Sequence, residues 1–353
     1  MSFQDGWAAV NLEMPRRVPR TEYSAEFHWD LVEAVTGMKV DWHSPADELS
    51  KAHRKFYDAW QYDFMFATPI STQIFGDLTT NMGHAEYQKD GVDFDTDIRS
   101  PFKSYDEVLN FDPWERLGPR DKREIVKYLE NIYNDRCQAL PDMVHMTGIY
   151  VTMVSGMLGM FGWDLLLEAA GLDPQGFGQF ANRYSSWIQQ YFDAVAETNV
   201  PVVMIHDDMV WTEGAIFRPE WYRKFVFPNF KKQFAPIIES GKKLIFCSDG
   251  TYNEFIDDLV DCGAQGFVLE PTVDMQYIAE KYGKTHVFIG NADTRILLYG
   301  SKQQIRAEVE RCMAIGKDCP GFFMAVGNHI PPNTPVENCL YYNQVYEELS
   351  VRG

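Results

Sequence analysis

Positive charge is scarce in this sequence. Against 51 Asp and Glu residues stand only 32 Lys and Arg, for a formal net charge of −19 over 353 residues. Nucleic acid and anionic membrane surfaces are recognised by clustered Lys and Arg, so both are excluded as partners. Long apolar runs are also missing: nothing approaches the roughly 20 residues of a membrane helix. The opening MSFQDGWAAVNLEMPRR lacks the basic-then-apolar order of a signal peptide. The six cysteines (Cys137, Cys247, Cys262, Cys312, Cys319, Cys339) form no CxxC pair and no framework spacing. That predicts reduced thiols and a cytoplasmic protein. No low-complexity segment and no Pro-, Gly- or Ser-rich linker divides the chain.

Aromatic residues are abundant, with 9 Trp, 18 Tyr and 24 Phe. Most belong in a core, and some are candidates to line a pocket for a flat ligand. The dominant pattern is short continuous apolar runs separated by longer amphipathic stretches. The runs are YDFMFAT (62–68), MVHMTGIYVTMV (143–154), VPVVMIH (200–206), KKLIFC (242–247), GFVLEP (266–271), HVFIG (286–290) and GFFMAV (321–326). Continuous hydrophobicity marks parallel strands buried on both faces. Between them, PEWYRKFVFPNFKKQFAPIIESG reads as a helix from Pro219 to Gly241. TYNEFIDDLVDCG places Phe255, Leu259 and Cys262 on one helical face, and Ser301 is the N-cap of SKQQIRAEVERCMAIG. This alternation predicts an α/β fold, a (β/α)8 TIM barrel over residues 61–353. Seven strands are visible and the eighth has no pattern of its own. Residues 1–60 read as a helical extension packed across the barrel.

In such a barrel the chemistry sits where strands pass into helices. Those positions hold His206, Asp207 and Asp208; Cys247, Ser248 and Asp249; Glu270; Asn291 and Asp293; and Asn328 and His329. One thiol, imidazoles and several carboxylates suit Zn²⁺, which makes Cys247, Asp249, Glu270 and His329 the metal candidates. Each also has a plainer role: Cys247 as a small buried hydrophobe, Asp249 as a cap before Gly250, and His329 as a loop imidazole. Asp207 and Asp208 are candidates for acid catalysis beside His206, or for capping or pairing with Arg218 or Arg223. His28, His43, His53 and His84 lie away from the strand ends, and His145 lies within a strand.

The segments HDDMVWTEGAIFRPEWYRKFVFPNFKKQF, GKKLIFCSDG, FIDDLVDCGAQGFVLEP, VFIGNADTRILLYGS and VGNHIPPNTPVEN together resemble the uroporphyrinogen decarboxylase superfamily. The resemblance is strong over residues 200–348 and looser over 10–200, and it too implies a (β/α)8 barrel. Its decarboxylases grip a polycarboxylate with an arginine-bearing N-terminal strand. PRRVPRTEY (15–23) reads instead as a short basic patch before a helix, ATPISTQIFG holds no acid before Asp77, and the net charge opposes a polyanion. The other branch moves methyl groups to or from the cobalt of a separate corrinoid protein, and its members acting on coenzyme M bind zinc through a His-x-Cys pair and a later Cys. By position these fall on Cys247, Asp249 and Asn328, a departure towards oxygen ligands that favours a Lewis acid over a thiolate activator.

The resemblance thus implies a corrinoid-dependent methyltransferase acting on a small methyl donor, such as a methoxylated aromatic. Zn²⁺ and a corrinoid protein are its expected cofactor and partner. Asn328, Trp211 and Asn291 are its substrate-binding candidates, Trp211 within an aromatic-rich loop (210–217). A decarboxylase, a methylcorrinoid:thiol methyltransferase and a non-catalytic binding protein are the alternatives.

Overall fold

A computed structural model of the protein describes residues 1–81, 85–88, 91–94 and 98–352, with backbone alone over 85–88 and 91–94. His84 lies outside the described residues. Six parallel strands stand in the order Phe322–Phe323, Val287–Ile289, Gly266–Val268, Lys243–Cys247, Val202–His206 and Thr147–Ile149. The last of these continues back into Val144–His145, which pairs in parallel with Phe64–Met65, and Ile70 bridges Ile149 farther along. Arg20 bridges both Tyr62 and Met324 in parallel. The wall therefore returns to its start, and the fold is the expected α/β barrel.

The eighth position is the segment around Arg20, inside the span read as a helical extension. Thr21 donates to the Met324 carbonyl at 3.2 Å, Met324 to Pro19 at 2.8 Å, and Asp63 to Arg20 at 2.8 Å. The N-terminal helices Phe3–Val10, Trp29–Thr36 and Ala46–Ala59 flank this segment in sequence. Within the continuous apolar runs, side chains still alternate. Val202, Met204, Ile245, Cys247, Val287 and Ile289 form one buried cluster inside the ring. Val203, Ile205, Leu244, Phe246 and Phe288 pack into the layer under the helices.

Ser301 caps the helix Lys302–Gly316 with Gln304 completing a capping box. The stretch expected as one helix from Pro219 is two, Pro219–Phe225 and Phe227–Glu239. Pro228 has no N–H to continue the first and opens the second instead. Among the described residues no helix is long and apolar enough to cross a membrane.

Candidate active site

The strand alternation decides which groups reach the barrel mouth. His206 follows Met204 on the inward side, Asp207 is turned towards the helices, and Asp208 faces inward again. His206 Nε2 lies 2.9 Å from Asp208 Oδ1, and its Nδ1 lies 3.3 Å from the Tyr23 hydroxyl. Tyr150 packs edge-on against the imidazole at 4.5 Å and donates to Asp208 Oδ2 at 2.8 Å. The Asp249 backbone N–H donates to Asp208 Oδ1 at 3.0 Å. Ligand atoms of His206, Asp208 and Asp249 all lie within 4.8 Å of one another.

Above this group opens a cavity of about 400 Å³, which Cys247, Glu270, Asn328 and His329 also line. A second cavity of about 260 Å³ adjoins it through Tyr150 and Asp249, with Trp163 and Trp211 in its wall. Those two indoles meet edge to face at 5.5 Å.

Among the described residues the mouth is rich in acid, and no Lys or Arg lines either cavity. Burial opposes ionisation of Asp208, but the His206 imidazole and the hydrogen bonds from Asp249 and Tyr150 hold its carboxyl at about 2. Burial and then repulsion from Asp208 push Asp249 up to about 6. Burial and then Asp249 push Glu270 up to about 8. Burial alone would lower His206, yet Cys247, Asp208 and Tyr23 raise it well above its ordinary value. His329, with burial and the nearby His206 charge both against protonation, falls to about 4.

These carboxylates and imidazole fit a divalent cation. His206, Asp208 and Asp249 make a nitrogen–oxygen–oxygen set facing an open cavity, the form of a three-ligand catalytic site. Cation binding would also relieve the mutual repulsion that lifts Asp249 and Glu270.

The compact group that could hold a cation differs in membership from the set named from sequence. Of Cys247, Asp249, Glu270 and His329, all line the mouth, but only Asp249 belongs to the compact group. Glu270 accepts a hydrogen bond from Asn328 Nδ2, and His329 Nδ1 is 2.6 Å from Ser24 Oγ. Cys247 is buried beside His206, with its thiol pushed up first by burial. Trp211 is 49% exposed at the side cavity.

Asp207 and Asn291 are not brought to the mouth. Fully buried, Asp207 accepts from the backbone N–H groups of Met153, Val154 and Ser155 at 2.7, 3.1 and 2.8 Å, at the start of the helix Val154–Leu172. Asn291 donates to the carbonyls of Glu270 and Val273, and its own side-chain oxygen accepts from Arg311. Asp293 caps the helix Thr294–Tyr299. Tyr23 and Tyr150 are the site residues that sequence reasoning missed. Tyr150 carried a usable signal, since it interrupts an apolar strand run.

The segment that looked like a basic patch before a helix is the closing strand, and its arginines are engaged elsewhere. Arg20 is completely buried; its Nε and Nη2 donate to Glu22 at 3.0 and 2.9 Å, and its guanidinium lies over Trp60, Tyr342 and Tyr346. Arg17 pairs with Asp63 at 2.7 Å. Neither lines the mouth cavities.

Comparison with known proteins agrees with this architecture. The chain is 28% identical over 161 residues to uroporphyrinogen decarboxylase of Thermus thermophilus, an alignment covering 46% of this chain and 45% of that one. To the Coxiella burnetii uroporphyrinogen decarboxylase it is 23% identical over 267 residues, covering 72% of this chain and 70% of the other. The Thermus thermophilus alignment and that to the Carboxydothermus hydrogenoformans enzyme each span about half the length of the relative. Among solved structures, a methyltransferase from Methanosarcina mazei superposes with a TM-score of 0.63 and 17% identity, covering 97% of this chain and 96% of the other. At that identity the likeness is one of fold. The profile of the family described as uroporphyrinogen decarboxylase (URO-D) matches residues 91–348, and the chain belongs to that family.

Proposed function

We propose that this protein is a metal-assisted methyltransferase. It takes a methyl group from a small donor, most simply a methoxylated aromatic, and passes it to the Co(I) corrinoid of a partner protein. The observation that carries this reading is a mouth that, among the described residues, has three carboxylates, two imidazoles and no Lys or Arg. A substrate bearing many carboxylates would meet like charge there, whereas an uncharged ether bound beside a cation would not.

His206, Asp208 and Asp249 would hold the ion, with Tyr23 and Tyr150 fixing the orientation of the imidazole and of Asp208. When bound, it supplies Lewis-acid stabilisation of the negative charge that builds on the departing oxygen. Trp163 and Trp211 give the aromatic ring a wall in the side cavity. Glu270, across the mouth and oriented by Asn328, delivers a proton to the oxygen as the methyl–oxygen bond breaks. The oxygen keeps the bonding pair and leaves as a hydroxyl.

The test has two arms. Protein purified without chelator should carry about one equivalent of divalent metal by elemental analysis, lost in Asp208→Asn. Anaerobic incubation with a Co(I) corrinoid protein and methoxylated aromatics should release the corresponding phenol. Absence of both would overturn the reading. The names of the sequence relatives favour a second one, a decarboxylase, and conversion of uroporphyrinogen to coproporphyrinogen by the purified protein would establish it instead.

A further inference from the structure

On the flank of the barrel, residues of the helices Ala46–Ala59 and Lys122–Ala139 and of the wall at Met65–Thr68 line a cavity of about 810 Å³. Its charge is opposite to that of the mouth: among the described residues Lys51, Arg54 and Arg136 line it with a single acid, Glu26. Arg136 Nη1 donates to the Phe66 carbonyl at 2.9 Å, and Arg54 Nη1 to the Ala139 carbonyl at 2.5 Å. Among the described residues the rest of each guanidinium has no hydrogen-bond partner. Such free forks match a carboxylate.

The polar groups of the wall are incompletely satisfied. Glu26 is buried; one of its oxygens accepts from the Tyr57 hydroxyl at 3.3 Å and the other has no partner. His145 donates through Nε2 to the Leu140 carbonyl at 2.7 Å, which leaves Nδ1 as a buried acceptor with nothing to accept. His53 Nε2 is likewise buried without a partner. Native structures rarely leave three such atoms around one space. Phe27, Tyr57 and Phe66 supply aromatic walls.

We propose that this flank cavity binds a small hydroxylated aromatic carboxylate, with the carboxylate on Arg136 and Arg54 and the ring hydroxyl donating to His145 Nδ1. A bare inorganic anion would leave the aromatic walls and the acceptors unused. The site does not depend on the methyl-transfer reading, because binding alone tests it.

Several charged and titratable groups face Glu26. Lys51, His53, Arg54 and Tyr57 come from one helix, Arg136 from another and His145 from the wall, with Glu22 near in its own segment. Burial pushes the Glu26 carboxyl up to about 7, so it is neutral beside the ligand at pH 6 and repels it at pH 8.

Calorimetric titration of chelator-treated protein with 4-hydroxybenzoate at pH 6 should give saturable one-to-one binding. 4-Hydroxybenzyl alcohol and inorganic phosphate should bind far more weakly. Arg136→Gln should weaken binding roughly 10- to 100-fold. Arg54→Gln, at an exposed side chain, should weaken it in the same direction should Arg136→Gln fail to fold. Binding should fall from pH 6 to pH 8 and become flat in Glu26→Gln. A ligand that binds equally well in Asp208→Asn occupies the flank. No saturable binding at millimolar ligand, unchanged affinity in a folded Arg136→Gln or Arg54→Gln, or loss in Asp208→Asn alone would each overturn the proposal.

Discussion

Adjacent aspartates with opposite side-chain directions give the sharpest test of the site. Asp207 meets three backbone N–H groups at 2.7–3.1 Å in a fully buried setting. In Asp207→Ala all three donors lose their acceptor in a fully buried space. A buried unsatisfied donor costs about 1–3 kcal/mol, and relaxation keeps the sum near the low end, about 3–6 kcal/mol. At roughly 2 °C per kcal/mol for a chain of this size, the melting temperature should fall by roughly 6–12 °C. Asp207→Asn should do part of the same damage. Both carboxylate oxygens accept, so the new amide must turn its NH₂ towards at least one backbone N–H. The measurement belongs above pH 7, where the Asp207 carboxyl, raised by burial to about 6, is ionised. Asp208→Asn breaks the His206 pair and so lowers melting as well, but it alone should remove metal binding and methyl transfer together. Differential scanning calorimetry and metal analysis on the three variants decide the matter. An Asp207→Asn protein that melts like wild type but has lost turnover would refute this division of labour.

Three further outcomes follow from the same geometry. Glu22→Gln leaves the buried Arg20 guanidinium without its charge partner, so stability should drop by about 3–5 kcal/mol in chemical denaturation, with the methionine pair Arg20→Met/Glu22→Met recovering part of it. Glu26 stays protonated in the fold up to about 7 while the unfolded chain ionises near 4.5. The folded state holds the extra proton, so stability should decline by about 3 kcal/mol between those pH values, and Glu26→Gln should flatten that decline in pH-dependent melting. Trp211→Ala removes a half-exposed ring that packs on Trp163, so it should raise KM for an aromatic donor roughly tenfold and leave melting temperature unmoved.

Much of this molecule was legible because buried parallel strands write themselves as uninterrupted apolar runs. Val202–His206 and Lys243–Cys247 could be found that way, and the polar residues closing them converge on one mouth. The closing strand could not, because its content (Arg17, Pro19, Arg20, Glu22) is polar and becomes buriable only through tertiary partners. Arg20 needs Glu22, Trp60, Tyr342 and Tyr346 around it, and two of those lie more than 300 positions away in sequence. Membership of the compact group that could hold a cation was equally hidden. It depends on which neighbour restrains each side chain, as Asn328 restrains Glu270 and Ser24 meets His329. The turning away of Asp207 was in principle readable from strand alternation carried one residue past Met204 and His206. Asn291 was not, since Arg311 reaches it from a different helix.

The strand around Arg20 carries a cost in the order of events during synthesis. It is synthesised long before the groups that complete it: Glu22 waits for the Val326 amide 304 positions later, and Val18 for the Tyr346 hydroxyl 328 positions later. Until then Arg20 has one neighbour in the wall, and the nascent sheet has two open edges able to pair with another chain. Contacts of such sequence separation make closure the slow, late event of folding. Moving residues 15–24 behind the last barrel strand by circular permutation would make the Met324 side of the seam local and the Tyr62 side long-range instead. Such a permutant should still close late, with the seam moved from the Met324 side to the Tyr62 side and the mouth chemistry unchanged.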